Sequence, residues 1–317
     1  MRESCYENLC CRCRRDRGIF CARLMDAGFD VSLIARGAHA GALKANGLRL
    51  LSIEGDLTLP AVQVFEKPVD NAPYDLVLVC VKTWQVAEAA VAIDGTLSAN
   101  GVVVPLQNGV DAADQLADKL GDNAVLSGLC GLVSLVKEPG VIDHVGLKPY
   151  VAIGNRTGTP DPVVRSLVKR LSNVPGMSVS APENMQVALW QKFLFIVGLS
   201  GIGSVTRAPI GITRDDSATR AMLEQCINEV FQVGKARGVP LPENSVAKTM
   251  ELMDKAPEAA TASMQRDIAA GKPSELYAQN GAVVRMGKDA GIATPVNSFI
   301  TASLGPMENK ARGVIDY

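Results

Sequence analysis

Histidine, aromatic residues and net charge are all scarce in this sequence. Its 317 residues include two histidines and 4% aromatic residues, and the formal net charge is −1. The two histidines, His39 and His144, are isolated, so neither is assigned a role and no metal site is expected. A chain without an excess of positive charge lacks the electrostatic footprint of proteins that bind nucleic acid or anionic membranes. We therefore expect neither nucleic-acid nor membrane binding.

No apolar run in the chain is long enough for a transmembrane helix. The longest, Phe193–Val205, is bounded by Lys192 and Arg207 and contains glycines, which predicts a buried helix. The apolar h-region of a signal peptide is also missing from the N-terminal residues. The sequence has no internal repeat and no low-complexity segment. These absences predict a cytoplasmic globular protein.

Cysteine is concentrated in one short stretch. Four of the eight cysteines lie between Cys5 and Cys13, interleaved with arginines. Beyond residue 21 only Cys80, Cys130 and Cys226 remain. Because these three are far apart and odd in number, we expect them to be reduced thiols in the core.

Strand and helix patterns alternate between residues 21 and 155. Apolar runs at Asp30–Arg36, Tyr74–Lys82 and Gly101–Val110 predict strands, and Trp84–Ile93 predicts a helix. The runs AVLSGLCGLVSLV and YVAIGN continue the strand character. Strands that are apolar on both faces suit a parallel sheet covered by helices. The pattern predicts a Rossmann-type doubly wound α/β sheet with right-handed crossovers.

The remainder of the chain is helical in pattern. Ser217–Gly238 carries apolar residues at helical spacing and ends on glycine, as C-caps often do. A boundary near Val179–Asn184 divides the chain into predicted domains at residues 1–182 and 183–317. A doubly wound sheet followed by an all-α domain predicts a dinucleotide enzyme with its active site in the cleft between them. The apolar helices also offer faces for a homodimer.

The glycine-rich phosphate loop of such an enzyme is missing. G-x-G-x-x-G belongs just before CARLMDAG, where the chain instead has CYENLCCRCRRDRG. All Cys codons and the CGN codons of Arg have G as their middle base, so a glycine-rich stretch becomes rich in Cys and Arg when its frame is displaced by one base. With third bases chosen freely, codons for Tyr6–Gly18 contain MKICVVGAGAIG in the frame one base later. That frame supplies a start codon, an apolar strand and the missing loop.

We therefore hypothesise that residues 1 to about 17 are a frameshifted version of the natural start. The error could lie in the gene, in its sequencing or in the expression clone. A genuine basic cysteine-rich extension is the alternative, and a zinc knuckle is disfavoured because CYENLCCRC has adjacent cysteines and no second ligand cluster. If the residues as they stand are folded, we expect weak or absent cofactor binding and a damaged centre of the sheet, because Cys and Arg do not provide the glycines' tight turn.

Seven stretches together resemble the ketopantoate reductase (2-dehydropantoate 2-reductase) family of the 6-phosphogluconate-dehydrogenase-like group. They are LIARG, VKTWQV, LQNGVDA, LWQKF, RAPIG, SMQRDIAAGKPSELYAQNGAVVRMG and GIATPVN. They span both predicted domains in the family's order, from residue 18 to the end, and are specific only in combination. The resemblance implies an NADPH-dependent reductase of a small 2-oxo acid in pantothenate biosynthesis.

Three residues at predicted strand ends are candidates for cofactor binding. From the pattern alone, Arg36 is either a surface arginine or a partner for a 2′-phosphate, and the resemblance implies the latter. Lys82 follows a buried strand and either carries a surface charge or, by resemblance, contacts the cofactor. Asn108 precedes a glycine, as turn asparagines often do, and the resemblance implies contact with nicotinamide and substrate.

The resemblance also implies the catalytic and substrate-binding residues of the helical half. Lys192 would be the general acid, where the pattern alone favours a solvated lysine. Glu275 would hold the substrate hydroxyl and orient the lysine, where the pattern suggests a carboxylate in a first helical turn. Ser263 would bind the substrate carboxylate, where the pattern suggests an N-cap. Asn280 and Asp267 would support the same pocket.

Two positions depart from the family. The family's best-studied members carry asparagines four and eight residues beyond the catalytic lysine, and this chain has Ile196 and Ser200 there. The departure leaves the identity of the oxo acid open. A reductase of a different 2-oxo or 3-oxo acid is one alternative, and a non-catalytic protein that lost its nucleotide loop is another.

Overall fold

The computed structural model describes residues 8–13, 17–68 and 73–316, and the chain forms two compact units. Unit 1 consists of Met1–Gln107 and Asp111–Met185, and unit 2 of Asn108–Val110 and Gln186–Tyr317. The mixed α/β first half and helical second half confirm the predicted fold class. The sequence predicts a boundary at 182/183, whereas unit 1 extends to Met185, and Asn108–Val110 groups with unit 2, where Val110 packs against the hydrophobic core.

Unit 1 contains ten strands within the described residues. They are β1 (Asn8–Cys13), β2 (Asp30–Ile34), β3 (Leu48–Ser52), β4 (Leu57–Leu59), β5 (Gln63–Phe65), β6 (Tyr74–Cys80), β7 (Leu97–Pro105), β8 (Ser127–Glu138), β9 (Val141–Gly154) and β10 (Ser178–Ser180). Five of them form a parallel sheet in the order β5-β2-β1-β6-β7. The order reverses at β1, as in doubly wound sheets, whose ligands bind at the carboxyl ends of the strands beside such a switch point.

The centre of this sheet is intact in its backbone. β1 pairs in parallel with β2 on one side and β6 on the other, with Leu9 opposite Val31 and Leu76. The expectation of a damaged sheet centre is therefore wrong for the backbone, because ladder hydrogen bonds use main-chain groups that every residue except proline carries. The missing phosphate loop would follow β1, at residues 14–16, which lie outside the described residues.

The runs AVLSGLCGLVSLV and YVAIGN contain strands, as predicted, but these strands, β8 and β9, lie outside the parallel sheet. They form a long antiparallel pair in a second sheet of order β10-β9-β3-β4, with β8 beside β9. Only two residues separate the strands, and the second, Gly140, has φ +84°. A two-residue turn returns the chain antiparallel to the preceding strand, and a left-handed residue in such turns is usually glycine. The spacing of apolar residues alone does not show whether two strands pair parallel or antiparallel.

Five α-helices complete the described part of unit 1. They are α1 (Gly18–Asp26), α2 (Gly37–Asn46), α3 (Val86–Ile93), α4 (Ala112–Leu120) and α5 (Pro162–Leu171). The helix predicted to begin at Trp84 begins at Val86, after a 3₁₀ turn over Thr83–Gln85. A Cβ at Gly18 would lie 2.4 Å from Ile142 Cδ1, so glycine lets α1 begin in close contact with β9.

Unit 2 is built from seven helices in the part of the chain that is described. They are α6 (Met185–Thr206), α7 (Ile210–Asp215), α8 (Ser217–Ala236), α9 (Ser245–Lys255), α10 (Ser263–Ala269), α11 (Asn280–Ala290) and α12 (Pro295–Ala311). By length and composition α6 is able to span a membrane, but Phe193, Leu194 and Val197 place it in the core of the unit. This agrees with the prediction of a buried helix. Cys80 and Cys130 in unit 1 and Cys226 in unit 2 are buried, as predicted.

Candidate active site

Lys192 reaches a neighbouring side chain from the first half of α6. Trp190 and Phe193 on either side of it are buried and touch edge to face, with ring centroids 5.7 Å apart. Their packing anchors this turn of the helix in the core. Lys192 itself is half-buried, and its Nζ donates a hydrogen bond to Asn108 Oδ1 across 3.1 Å.

Asn108 joins Lys192 to a carboxylate. Its Nδ2 donates to Glu275 Oε2 across 3.3 Å, while its Oδ1 accepts from the lysine. A side-chain amide has both an acceptor oxygen and a donor nitrogen, so it can bind an ammonium and a carboxylate at once. The structure therefore places three of the predicted site residues in one hydrogen-bonded chain within unit 2.

Glu275 is a buried carboxylate in a short irregular segment. It is 2% exposed and directly precedes the 3₁₀ turn Leu276–Ala278. Glu275 thus precedes the 3₁₀ turn and does not lie, as the pattern suggested, in the first turn of a helix. A buried carboxylate is costly unless hydrogen bonds compensate it. Asn108 supplies one of those bonds, which gives the carboxylate a defined direction.

The two predicted substrate residues Ser263 and Asn280 have different surroundings. Ser263 is the first residue of α10, whose N-cap is Ala262, so the N-cap interpretation of Ser263 is wrong. Asn280 is fully buried, and its Nδ2 donates to Asn297 Oδ1 across 2.9 Å. That Nδ2 lies beside Gly201 of α6, since a Cβ built there would be 2.5 Å from it. Gly201 is nine residues from Lys192, which is about 14 Å along the helix at 1.5 Å per residue. The structure does not bring the Asn280 amide to the lysine.

Two buried serines follow Lys192 along α6. Each step of four residues turns about 40° around a helix of 3.6 residues per turn, so Ile196 lies close to the side of Lys192, and Ser200 and Ser204 are displaced from it by about 80° and 120°. Ser200 and Ser204 are buried, and their Oγ atoms have no hydrogen-bond partner among the described residues. Buried hydroxyls normally find a partner, so these two are candidates for contact with a polar ligand. Ser204 was not singled out from the sequence.

The residues predicted to bind a cofactor follow two strands that flank β1. Arg36 comes just after β2, and Lys82 just after β6, with its Nζ 6.0 Å from the centre of the Trp84 ring. Arg36 is exposed, and its Nη2 lies 3.2 Å from Oε1 of Glu88 on α3. Two cations at the carboxyl ends of parallel strands fit an anionic dinucleotide. Glu88 was not singled out from the sequence, because nothing in the pattern brings it to Arg36.

Other reactive groups in unit 2 do not form a second centre. Burial, and then the charge of Glu229, raise the pKa of the Cys226 thiol, so the thiolate needed for nucleophilic attack is not formed near neutral pH. Among the described residues no group of three or more His, Cys, Asp or Glu side chains is arranged to hold a metal ion.

Two family models match most of the chain. The model described as "Ketopantoate reductase PanE/ApbA" matches residues 18–158, and the model described as "Ketopantoate reductase PanE/ApbA C terminal" matches residues 184–308. The two matches fall in the sheet-containing half and the helical half in that order. The first begins at Gly18, directly after the stretch rich in cysteine and arginine.

Individual proteins resemble the chain over most of its length. A 2-dehydropantoate 2-reductase of Halobacterium salinarum is 30% identical over 258 residues, covering 81% of this chain and 84% of that protein. A PanE/ApbA family ketopantoate reductase of Ralstonia eutropha has a TM-score of 0.87 at 28% identity, covering 96% of this chain and 99% of that one. A D-mandelate dehydrogenase solved with NADH and anilino(oxo)acetate also has a TM-score of 0.87, with coverage of 96% and 99%, but at 20% identity it shows the fold alone.

Proposed function

This chain belongs to the ketopantoate reductase PanE/ApbA family and is an oxidoreductase of that family, and from this premise we propose that it reduces 2-dehydropantoate to pantoate with NADPH. The observation that carries the proposal is the hydrogen-bonded chain from Lys192 through Asn108 to Glu275. It combines a proton donor, a neutral bridge and a buried carboxylate.

Lys192 acts as the general acid. A bound nicotinamide supplies the hydride that the keto carbon accepts. As this carbon is reduced, negative charge grows on the carbonyl oxygen, and an ammonium group beside it stabilises that charge and delivers the proton. The hydrogen bond to Asn108 and the aromatic packing of Trp190 and Phe193 hold the lysine in place for this step.

Asn108 and Glu275 orient the reaction. The Asn108 amide accepts from the lysine and donates to Glu275, so the position of the buried carboxylate also sets the direction of the ammonium. In the proposed complex Glu275 accepts a hydrogen bond from the substrate hydroxyl. Ser263, at the start of α10, supplies a hydroxyl for the substrate carboxylate.

Arg36 and Lys82 hold the anionic groups of the cofactor. An arginine after the second strand of the parallel sheet suits the 2′-phosphate of NADPH, whereas NAD enzymes place an acidic residue there for the ribose hydroxyl. Lys82 provides a second cation after the other strand that flanks β1. The nearby carboxylate of Glu88 competes for Arg36 and reduces this preference for a phosphate.

A reductase of a different 2-oxo acid is the second candidate function. It is favoured by Ile196, an apolar side chain on the Lys192 face of α6 where the family's members carry an asparagine. The buried hydroxyls of Ser200 and Ser204 farther along α6 are available for polar contacts with such a substrate. The pocket of such an enzyme would take a bulkier or more apolar group than that of 2-dehydropantoate.

The natural N-terminus would complete the cofactor site. We propose that the frame encoding MKICVVGAGAIG replaces residues 6–17 in the native protein. It would put ICVVGA at positions 8–13, the positions that form β1, and a glycine-rich loop directly before α1. The family match from Gly18 onward agrees with this proposal, because the differing residues all precede it.

A panel of oxo acids tests the proposal. Oxidation of NADPH and of NADH is followed with 2-dehydropantoate, with straight-chain and aromatic 2-oxo acids, and with a 3-oxo acid. The proposed function requires the highest kcat/KM for 2-dehydropantoate with NADPH. A higher value for another oxo acid supports the second candidate, and no turnover in protein carrying either N-terminus supports the non-catalytic alternative.

A further inference from the structure

The residue before Glu275 is bound by the C-terminal end of α12. The backbone N–H of Ser274 donates to both carboxylate oxygens of Glu308, across 3.1 Å to Oε1 and 3.0 Å to Oε2. Its Oγ donates to Glu308 Oε2 across 2.5 Å. Arg312 closes the arrangement, with Nη2 donating to Ser274 O across 2.8 Å and Nε to Glu308 Oε1 across 2.5 Å. Every polar group of Ser274 is therefore hydrogen-bonded.

The residues that follow Glu275 are bound as well. Ser274 Oγ accepts from the N–H of Leu276 across 3.2 Å, which bridges over Glu275 itself. The hydroxyl of Tyr277 donates to Asn309 Oδ1 across 2.7 Å, and the guanidinium of Arg312 lies 5.9 Å from the centre of the Tyr277 ring. The segment is therefore anchored to α12 on both sides of the glutamate.

Burial makes the loss of any of these contacts costly. The Glu308 carboxylate is fully buried, and Ser274 and Glu275 are almost completely so. A buried charge that loses one partner is strongly destabilised, so Glu308 and Arg312 keep one geometry. α12 is 17 residues long, whereas the 3₁₀ turn after Glu275 has three residues and little rigidity of its own. The long helix thus supplies the stiffness that the short segment lacks.

We propose that Glu308 and Arg312 are positioning residues, which hold Glu275 in the direction that its hydrogen bond with Asn108 requires. Functional groups must be held to within about 0.5 Å, and loops achieve this only when neighbouring contacts fix them. The inference rests on the proposed function, because the direction of Glu275 affects turnover only if it orients Lys192 and the substrate. Neither residue touches the substrate in this scheme.

Four variants test the proposal, in whichever form of the full-length chain binds NADPH. Glu308→Gln keeps the shape and one acceptor oxygen but removes the charge that faces Arg312. Arg312→Met removes all donors, and Arg312→Lys restores the charge. Arg214→Met is the matched control, because the Arg214 Nη1 also binds backbone carbonyls in unit 2, those of Met253, Asp254 and Ala256.

The expected result separates positioning from stability. Arg312→Met and Arg214→Met both lower Tm, but only Glu308→Gln and Arg312→Met lower kcat, by about tenfold as for a misplaced group. KM for NADPH stays within about twofold, and Arg312→Lys recovers part of kcat. Hydrogen exchange of the peptide containing residues 274–278 becomes faster in the two impaired variants and not in Arg214→Met.

Failure of the inference is distinguishable from failure of the proposed function. If the wild-type protein is active and Glu275→Gln is not, but Glu308→Gln and Arg312→Met match Arg214→Met in kcat, the positioning role is overturned. Unchanged hydrogen exchange in these two variants overturns it as well. If the wild-type protein reduces no oxo acid, the proposed function falls first and the positioning role falls with it.

Discussion

Lys192 Nζ donates a hydrogen bond to Asn108 Oδ1 across 3.1 Å, although the two residues are 84 positions apart in the sequence. The lysine lies on α6, whereas the asparagine follows β7 and belongs to unit 2 with only two neighbours, Gly109 and Val110. This short segment therefore contributes the Asn108 side chain to unit 2. Substitutions at either residue test whether the arrangement serves catalysis.

Lys192→Met is expected to lower kcat by about 10²- to 10⁴-fold, the range for loss of a general acid. The affinity for NADPH should stay within about twofold, because the lysine acts at the transition state. Lys248→Met on the exposed side of α9 is the control and should retain full activity. A kcat for Lys192→Met within a few-fold of the control value would contradict the assigned role.

Asn108→Asp is expected to be more harmful than Asn108→Ala. The new carboxylate has no N–H to donate to Glu275, and two like charges would face each other. We expect kcat/KM to fall about 100-fold for Asp and about tenfold for Ala. Asn155→Asp is the matched control, because the Asn155 Nδ2 donates to Asp161 Oδ2 across 2.8 Å in unit 1.

The control variant should lose stability but keep its turnover per folded molecule. Thermal unfolding and steady-state kinetics measured on the same preparations separate the two effects. Equal turnover in Asn108→Asp and Asn155→Asp would show that the bridge between Lys192 and Glu275 is not needed for the reaction.

Ile196→Asn tests the identity of the substrate. If the enzyme acts on 2-dehydropantoate, the added amide should lower its KM about three- to tenfold, the worth of one good hydrogen bond. Ile212→Asn is the control, because Ile212 is an exposed isoleucine in the same unit. If the wild-type protein prefers a more apolar oxo acid and Ile196→Asn raises the KM for that substrate, the second candidate function is correct.

Arg36 and Glu88 are expected to set the cofactor preference in opposite directions. Arg36→Ala should lower the affinity for NADPH about 10- to 100-fold relative to that for NADH, because a charge-assisted contact with the 2′-phosphate is lost. Glu88→Gln should raise the affinity for NADPH about two- to fivefold, the range for an exposed ion pair, because the carboxylate that competes for Arg36 is removed. Arg49→Ala on β3 removes the same charge elsewhere in unit 1 and should change neither affinity. Equal NADPH-to-NADH ratios in all three variants would exclude a role for Arg36.

The N-terminal proposal is tested by fluorescence titration of NADPH into two proteins. One is the chain as it stands, and the other begins MKICVVGAGAIGGIFCARL. We expect binding only by the second, because glycines bring backbone N–H groups close to the pyrophosphate. Equal binding of NADPH by both proteins would refute the frameshift hypothesis. The hypothesis also predicts that the DNA encoding residues 6–18 contains, one base later, a reading frame for MKICVVGAGAIG.

The alternating apolar runs of the first half and the helical spacing of the second were sufficient to predict the fold class. Periodicity reports which side of an element is buried, so Tyr74–Cys80 was recognisable as a buried strand. It does not report which strand lies beside which. The pattern therefore indicated strands at β8 and β9 but not that the turn at Gly140 makes them an antiparallel pair in a second sheet.

The sequence by itself determined most of the elements, because these depend on local pattern and residue type, and the resemblance of its motifs to a family made Lys192, Asn108 and Glu275 candidates. Only the tertiary structure decided that their side chains meet, that Asn280 lies with Asn297 instead, and that Glu308 and Arg312 bind the residue beside Glu275. Contacts between residues far apart in the chain depend on how whole helices and strands pack. That packing is set by three clusters of buried apolar side chains, two in unit 1 and one in unit 2, and no short stretch of sequence contains it.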